Sequence, residues 1–135
     1  MKILFVDDNL GGMKFHVMHL SRIPGVEVTP VDDLDRALTM FEKDPASWTG
    51  VIIDLMMPKG SIVPEQADVQ ESGRYLLEGL RSLRPNVPAV ILTNVETHPV
   101  LLVLETQVPI KIMNKKDRLA AEFARIVVEF FRECK

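Results

Sequence analysis

The chain has a single cysteine, the penultimate residue Cys134, so it can form no internal disulfide and no metal site can rest on a set of thiolates. That usage fits a reducing compartment. It has no excess of positive charge: 16 Lys and Arg against 19 Asp and Glu leave a net charge of -3, which argues against direct nucleic-acid binding. No apolar run reaches the ~20 residues that a bilayer crossing requires. Met1-Lys2 leads into an apolar run with no cleavable leader before it, so a cytoplasmic protein without membrane insertion is expected. Internal repeats, low-complexity tracts and interdomain linkers are absent too. A chain of 135 residues, 47% hydrophobic, is expected to be one domain, 1–135, with one core. Any output must then come from the surface of that domain.

What is present is an alternation. Strand-like runs at Lys2 to Val6, Val26 to Pro30, Val51 to Asp54, Ala89 to Leu92 and Ile110 to Met113 are separated by segments with helical spacing, among them Leu34, Leu38 and Phe41, then Leu76, Leu77, Leu80 and Leu83. The C-terminal segment repeats apolar residues at Leu119, Phe123, Ile126, Val127, Phe130 and Cys134, with Glu122, Arg125, Glu129 and Arg132 on other faces. A second edge of that helix, with Val128 and Phe131, leaves room for a homodimer or a partner contact. The first helix, from about Leu10 to Ile23, is the weakest, because Gly11 and Gly12 each cost roughly 1 kcal/mol relative to Ala.

Five strands alternating with helices predict an α/β fold, a parallel sheet with right-handed crossovers and helices on both faces. In the flavodoxin-like doubly wound order, 2-1-3-4-5, strands 1 and 3 are neighbours, and ligands bind beyond their C-terminal ends. The two runs that would occupy those places, Ile3-Leu4-Phe5-Val6-Asp7-Asp8 and Val51-Ile52-Ile53-Asp54, both end in carboxylates. Three such groups together are electrostatically costly without a cation, so a divalent metal is implied.

Strand four ends in Leu92-Thr93-Asn94 and strand five in Asn114-Lys115-Lys116, adding a hydroxyl and ammonium groups at the same edge. Singly, an Asp-Asp pair is most often a turn or a helix cap, and Thr93 or Lys115 a capping hydroxyl or a solvated charge. Together, these groups suit phosphoryl transfer to an aspartate. A carboxylate nucleophile forms an acyl phosphate, Mg2+ offsets repulsion between anions, and Lys and Thr bind phosphoryl oxygens.

With these residues in this order, the chain resembles, over nearly its whole length, a stand-alone receiver domain of the two-component response regulators. The resemblance implies that Asp54 is the phosphoacceptor and that Asp7, Asp8, Asp54 and the backbone carbonyl of Met56 hold Mg2+. It also implies that Thr93 is the switch hydroxyl and Lys115 the phosphate-binding lysine. The partners it implies are a sensor histidine kinase or a histidine phosphotransfer protein, and a downstream protein target or phosphorelay. Its only chemistry would be self-phosphorylation and autodephosphorylation. Pro58, four residues after Asp54, and Gly73, resembling the glycine that opens the third helix, fit the same pattern.

The departures from that pattern are specific. Ile112 stands three before Lys115, where the family usually has Tyr or Phe; Asn94 follows Thr93 in place of a small residue; and Lys116 follows Lys115 in place of proline, leaving the lysine open between the two. From Pro58 to Ser72 runs an extended loop, expected as a lid or docking element, with Ile62 and Val63 favouring a packed flap. These features define a second expectation, an interaction module that works without phosphorylation. A hydrolase with an aspartate nucleophile is disfavoured, since such phosphatases usually carry a second acid two positions on, where this chain has Met56. His16, His19 and His98 read as surface or partly buried side chains, not as zinc ligands or phosphohistidines. Trp48, which precedes strand three, is expected to respond little to metal binding.

Overall fold

The computed structural model describes residues 1–94 and 99–134. Strands β1 (Lys2–Val6), β2 (Glu27–Val31), β3 (Gly50–Asp54), β4 (Ala89–Thr93) and β5 (Ile110–Asn114) form one sheet. All four pairings are parallel, in the order β2-β1-β3-β4-β5, the flavodoxin-like order that the sequence implies. Helices α1 (Lys14–Ser21), α2 (Leu34–Lys43), α3 (Ser72–Leu83), α4 (Pro99–Glu105) and α5 (Ala120–Glu133) alternate with them.

The strands differ in composition because they differ in cover. Every residue of β3 and β4 is buried, whereas the edge strands β2 and β5 keep partly exposed positions and tolerate Pro30 and Lys111. Successive side chains point to opposite faces. Leu4, Val6, Val51, Ile53 and Ile91 therefore pack with Leu34, Phe41, Leu76 and Leu80 of α2 and α3. Ile3, Phe5, Ile52, Val90 and Leu92 pack with Leu20 of α1 and Phe123, Val127 and Phe131 of α5. Apolar runs without alternation are what such double cover demands.

Two local expectations need correction. Helix α1 begins at Lys14, not near Leu10; Leu10 to Met13 form turns, and the Gly12 N–H donates to Asn9 Oδ1 at 3.1 Å. The glycine pair shortens the helix as its backbone entropy predicts. On α5 the buried face is Phe123, Ala124, Val127, Val128 and Phe131, while Leu119 is exposed and Ile126 and Phe130 are half-buried. Val128 and Phe131, expected at an outer edge, are inside the chain: the Phe131 ring packs over Gly50 of β3, where a Cβ would stand 2.5 Å from it. Glu122, Arg125, Glu129 and Arg132 are exposed, as expected.

The segment 58–72 is fastened down. Val63 is buried, and Ile62 and Ala67 pack on the α2–α3 side of the core. Gly60 takes a positive φ of 60°, which brings the Ser61 N–H onto both Asp35 carboxylate oxygens at 3.1 and 3.0 Å. The Lys59 ammonium donates to the Glu65 carbonyl at 2.7 Å. The segment ends in a short 3-10 helix, Val69–Glu71, that runs directly into α3.

At the junction the Gly73 N–H donates to the Leu55 carbonyl at 2.8 Å. A Cβ there would stand 2.5 Å from the Asp54 carbonyl oxygen, so only glycine lets α3 seat against the end of β3. Gly73→Ala is expected to lower stability by about 1–3 kcal/mol in urea denaturation through overpacking. Gly11→Ala, where a Cβ meets nothing within 4 Å, should stay within about 0.5 kcal/mol.

Candidate phosphoryl and metal site

Adjacent parallel strands bring their C-terminal residues to one edge. Asp7 follows β1, fixed by its own N–H on the Val31 carbonyl at 3.0 Å, and is fully buried. Its Oδ1 accepts from the Asn9 N–H at 2.8 Å. Asp54 closes β3 and is 4% exposed, with Oδ1 facing the Met56 N–H at 3.4 Å. Asp8 is exposed, and one carboxylate oxygen from each of Asp7, Asp8 and Asp54 lies within 4.8 Å of the others. Thr93 closes β4 and is buried.

The Lys115 N–H donates to the Thr93 carbonyl at 3.0 Å, continuing the β4–β5 pairing one residue past the strand. Its ammonium then reaches Asp7 Oδ2 at 2.7 Å and Asp54 Oδ2 at 3.2 Å. Lys116 is exposed and its N–H caps onto Asn114 Oδ1 at 2.9 Å. Of the two lysines left open by the sequence, Lys115 is the one inside the acidic cluster.

A cavity of about 200 Å³ opens above these groups, its wall including Asp8, Asp54, Met56, Thr93 and Lys115. A larger groove, about 460 Å³, lies between α1 and α5 and holds none of the clustered carboxylates, so size does not mark the site. Asn94 is exposed at the cavity, Ile112 packs partly buried on the α2–α3 side of the core, and Met57 is buried. His16 sits edge-on to Phe123, 5.0 Å between ring centres, and burial pushes its pKa down. His98 lies outside the described residues.

Burial, and then the neighbouring negative charge of Asp7, raises the Asp54 pKa from 3.8 to about 7, with Lys115 pulling against both. Burial lowers the Lys115 pKa, but its hydrogen bond to Asp7 and the charges of Asp54 and Asp7 outweigh that, leaving it raised. Two buried carboxylates thus share one ammonium, with the Asp8 carboxylate beside them. Among the described residues, Asp7 Oδ2 is buried with no partner beyond that ion pair. An all-oxygen donor set with surplus negative charge and an under-satisfied buried oxygen fits a hard divalent cation. The cluster could hold such a metal.

Two contributors escaped the sequence. Asn9 has a role set by the turn after β1, and Gln70, which lines the cavity, comes from the segment that the residue pattern showed only as a long connection leaving the site. Spacing carries no signal for either.

No protein-family model matches the chain, and no curated protein does. Solved structures do. It is similar to the receiver domain of a Francisella response regulator, 22% identical over 99% of this chain and 98% of that one, with a TM-score of 0.74. A CheY-like response regulator receiver domain protein from Methanospirillum hungatei is 19% identical over 98% and 94%, at 0.75. A response regulator receiver protein from Sinorhizobium medicae is 22% identical over 100% and 97%, at 0.72. The chain has the receiver-domain fold of the response regulators. Among the described residues, no helix is long and apolar enough to cross a membrane.

The raised Asp54 pKa has a consequence for stability. Relative to its ordinary 3.8, a folded value of about 7 means that ionising Asp54 opposes folding. The penalty is absent below 3.8, grows between the two values and is complete above about 7. In metal-free buffer Asp54→Asn is therefore expected to be more stable than wild type by at least ~1 kcal/mol at pH 8. The difference should vanish near pH 4, as read by denaturation across pH.

Proposed function

We propose that this chain is a single-domain response regulator receiver that works in the cytoplasm. Asp54 accepts a phosphoryl group from the phosphohistidine of a sensor histidine kinase or a histidine phosphotransfer protein. The signal passes by conformational change to a downstream protein or a further phosphotransfer protein. The observation that carries this is the partly buried Lys115 ammonium held between the buried carboxylates of Asp7 and Asp54 beside Thr93.

In the transfer, the ionised Asp54 oxygen forms a bond to phosphorus as the phosphorus–nitrogen bond to histidine breaks. Lys115, already at the carboxylate, neutralises a phosphoryl oxygen, and the Thr93 hydroxyl donates to another. Asp7, Asp8, Asp54 and the Met56 carbonyl would hold Mg2+, which when bound offsets repulsion between the incoming phosphoryl group and the carboxylates. A phosphoryl group adds close to two negative charges. It draws Lys115 and Thr93 inward, and because the Lys115 N–H is bonded to the Thr93 carbonyl, β4 and β5 respond together. Beyond its own phosphorylation and hydrolysis the domain performs no reaction.

One observation favours a second reading. Ile112, packed against the core where an aromatic would swing, provides no rotamer switch. An interaction module independent of phosphorylation would bind its partner equally well as Asp54→Asn.

Three measurements test the proposal. Intact-mass analysis after incubation with acetyl phosphate and Mg2+ is expected to show one added phosphoryl group, absent in Asp54→Asn and without Mg2+; a wild type that stays unmodified rejects the switch. At tenfold excess over its dissociation constant, Mg2+ should stabilise the chain by about 1.4 kcal/mol. Asp8→Asn, at an exposed position, should lose that gain with little change in basal stability. Trp48 fluorescence should not follow the titration, because the ring lies stacked on Phe41 at the far end of β3, about 13 Å of strand away.

A further inference from the structure

We propose that Gln70 positions the water that hydrolyses the Asp54 acyl phosphate, making the 58–72 segment an internal timer for the signal. The inference rests on Asp54 being the phosphoacceptor.

The cavity wall is built almost wholly from strand ends. Asp8, Asp54, Thr93 and Lys115 and their sequence neighbours lie at or just beyond the C-termini of β1, β3, β4 and β5, whereas, among the described residues, Gln70 alone reaches the cavity from a separate element. That element is fastened on both sides of Gln70. Asp68 Oδ1 accepts from the Gln70 N–H at 2.9 Å, the buried Ser72 hydroxyl donates to the Val69 carbonyl at 2.8 Å, and Gly73 is locked against the end of β3. Upstream, Val63 is buried in the core. Gln70 is thus half-buried on a braced helical turn, not carried on a loose tether.

Hydrolysis of the acyl phosphate needs a water in line with the bond that breaks. Asp54 forms the buried base of the cavity, so that water must arrive from the mouth, on the side away from β3. Lys115 and Thr93, on strand ends, serve the phosphoryl oxygens. Asn9 is already engaged, its Oδ1 accepting from the Gly12 N–H at 3.1 Å; the Met56 side chain offers no donor, its N–H facing Asp54 Oδ1; and Asn94, also an amide at the cavity, is exposed where Gln70 is half-buried. The Gln70 amide offers both functions at one place: its oxygen accepts from the water and its NH2 donates to a phosphoryl oxygen. Amides orient attacking water in this way in GTPases.

In the step, the water oxygen bonds to phosphorus as the bond from phosphorus to the Asp54 oxygen breaks. The bonding pair leaves with the carboxylate, and both water protons end on inorganic phosphate. The amide takes no proton, so Gln70 is a positioning residue and not a base.

The test loads each protein with acetyl phosphate and Mg2+, removes the donor and follows loss of the phosphoryl group by intact mass. Gln70→Leu, similar in size but without polar atoms, is expected to slow hydrolysis about tenfold, and Gln70→Ala to act in the same direction. The rate of phosphoryl gain should not change. Cleavage by hydroxylamine, which attacks the acyl carbonyl and needs no oriented water, should not change either. Hydrolysis that is unchanged or faster in the variants overturns the inference, and so does a parallel slowing of phosphoryl gain and hydroxylamine cleavage, which marks a structural role for the segment. A wild type that accepts no phosphoryl group overturns the receiver proposal and this inference with it, whereas normal loading with an unaltered lifetime overturns this inference alone.

Discussion

The contact between the Lys115 ammonium and the carboxylates of Asp7 and Asp54 sets terms for the rest of the molecule. Two anions about 4 Å apart repel by roughly 4 kcal/mol even at an effective dielectric constant of 20. Burying them side by side is tolerable only with a cation in place. The order of the sheet decides which cation can reach. Strands lie ~4.8 Å apart, so β5 is about 10 Å from β3, with the end of β4 between them. A residue at the end of β5 has to be long, and the residue at the end of β4 has to be small enough to pass beneath it. Lys115 and Thr93 meet those conditions, and their backbone hydrogen bond at 3.0 Å ties the two strand ends into one unit.

A site under that electrostatic load needs a scaffold that does not yield. The fully buried β3 and β4 supply it, clamped between α2 and α3 on one face and α1 and α5 on the other. Polar groups gather where the strands stop being covered. The same logic accounts for the inserted 58–72 segment, which leaves the sheet at the site and returns to it. Lengthening a surface connection adds little loop entropy. Val63, Ile62 and the Asp35 contact repay it by tying the chain to the core, and the segment ends with Gly73 seated against the Asp54 carbonyl. The element that departs most from a minimal fold is therefore among those most closely coupled to the acidic cluster.

Much of this was legible beforehand because it follows from one-dimensional pattern. Uninterrupted apolar runs identify covered strands, and the strand expected at Val26 to Pro30 differs by a single residue at each end from the observed Glu27–Val31. Carboxylates at the ends of the runs that became β1 and β3 mark the site as soon as those strands are neighbours. The α5 face is not legible in the same way, because periodicity weighs Ile126 and Phe130 by hydrophobicity alone, while packing favours the side on which the Phe131 ring fits over Gly50 of β3. The choice between Lys115 and Lys116 turns on which side chain points back over β4. Adjacent lysines are chemically equal until a strand direction separates them.

By itself, the sequence determined the order of strands and helices, the apolar faces of the sheet and the chemical groups available at its C-terminal edge, because each depends on local composition and on a period of two or 3.6 residues. Only the tertiary structure decided which of those groups touch. The ammonium of Lys115 on two carboxylates, the rise of the Asp54 pKa to about 7, the packed course of 58–72 and the arrival of Gln70 at the cavity all join residues far apart in the chain. Distance along a chain carries no information about burial or charge proximity; those are properties of the folded packing, where low solvent access makes each neighbour count.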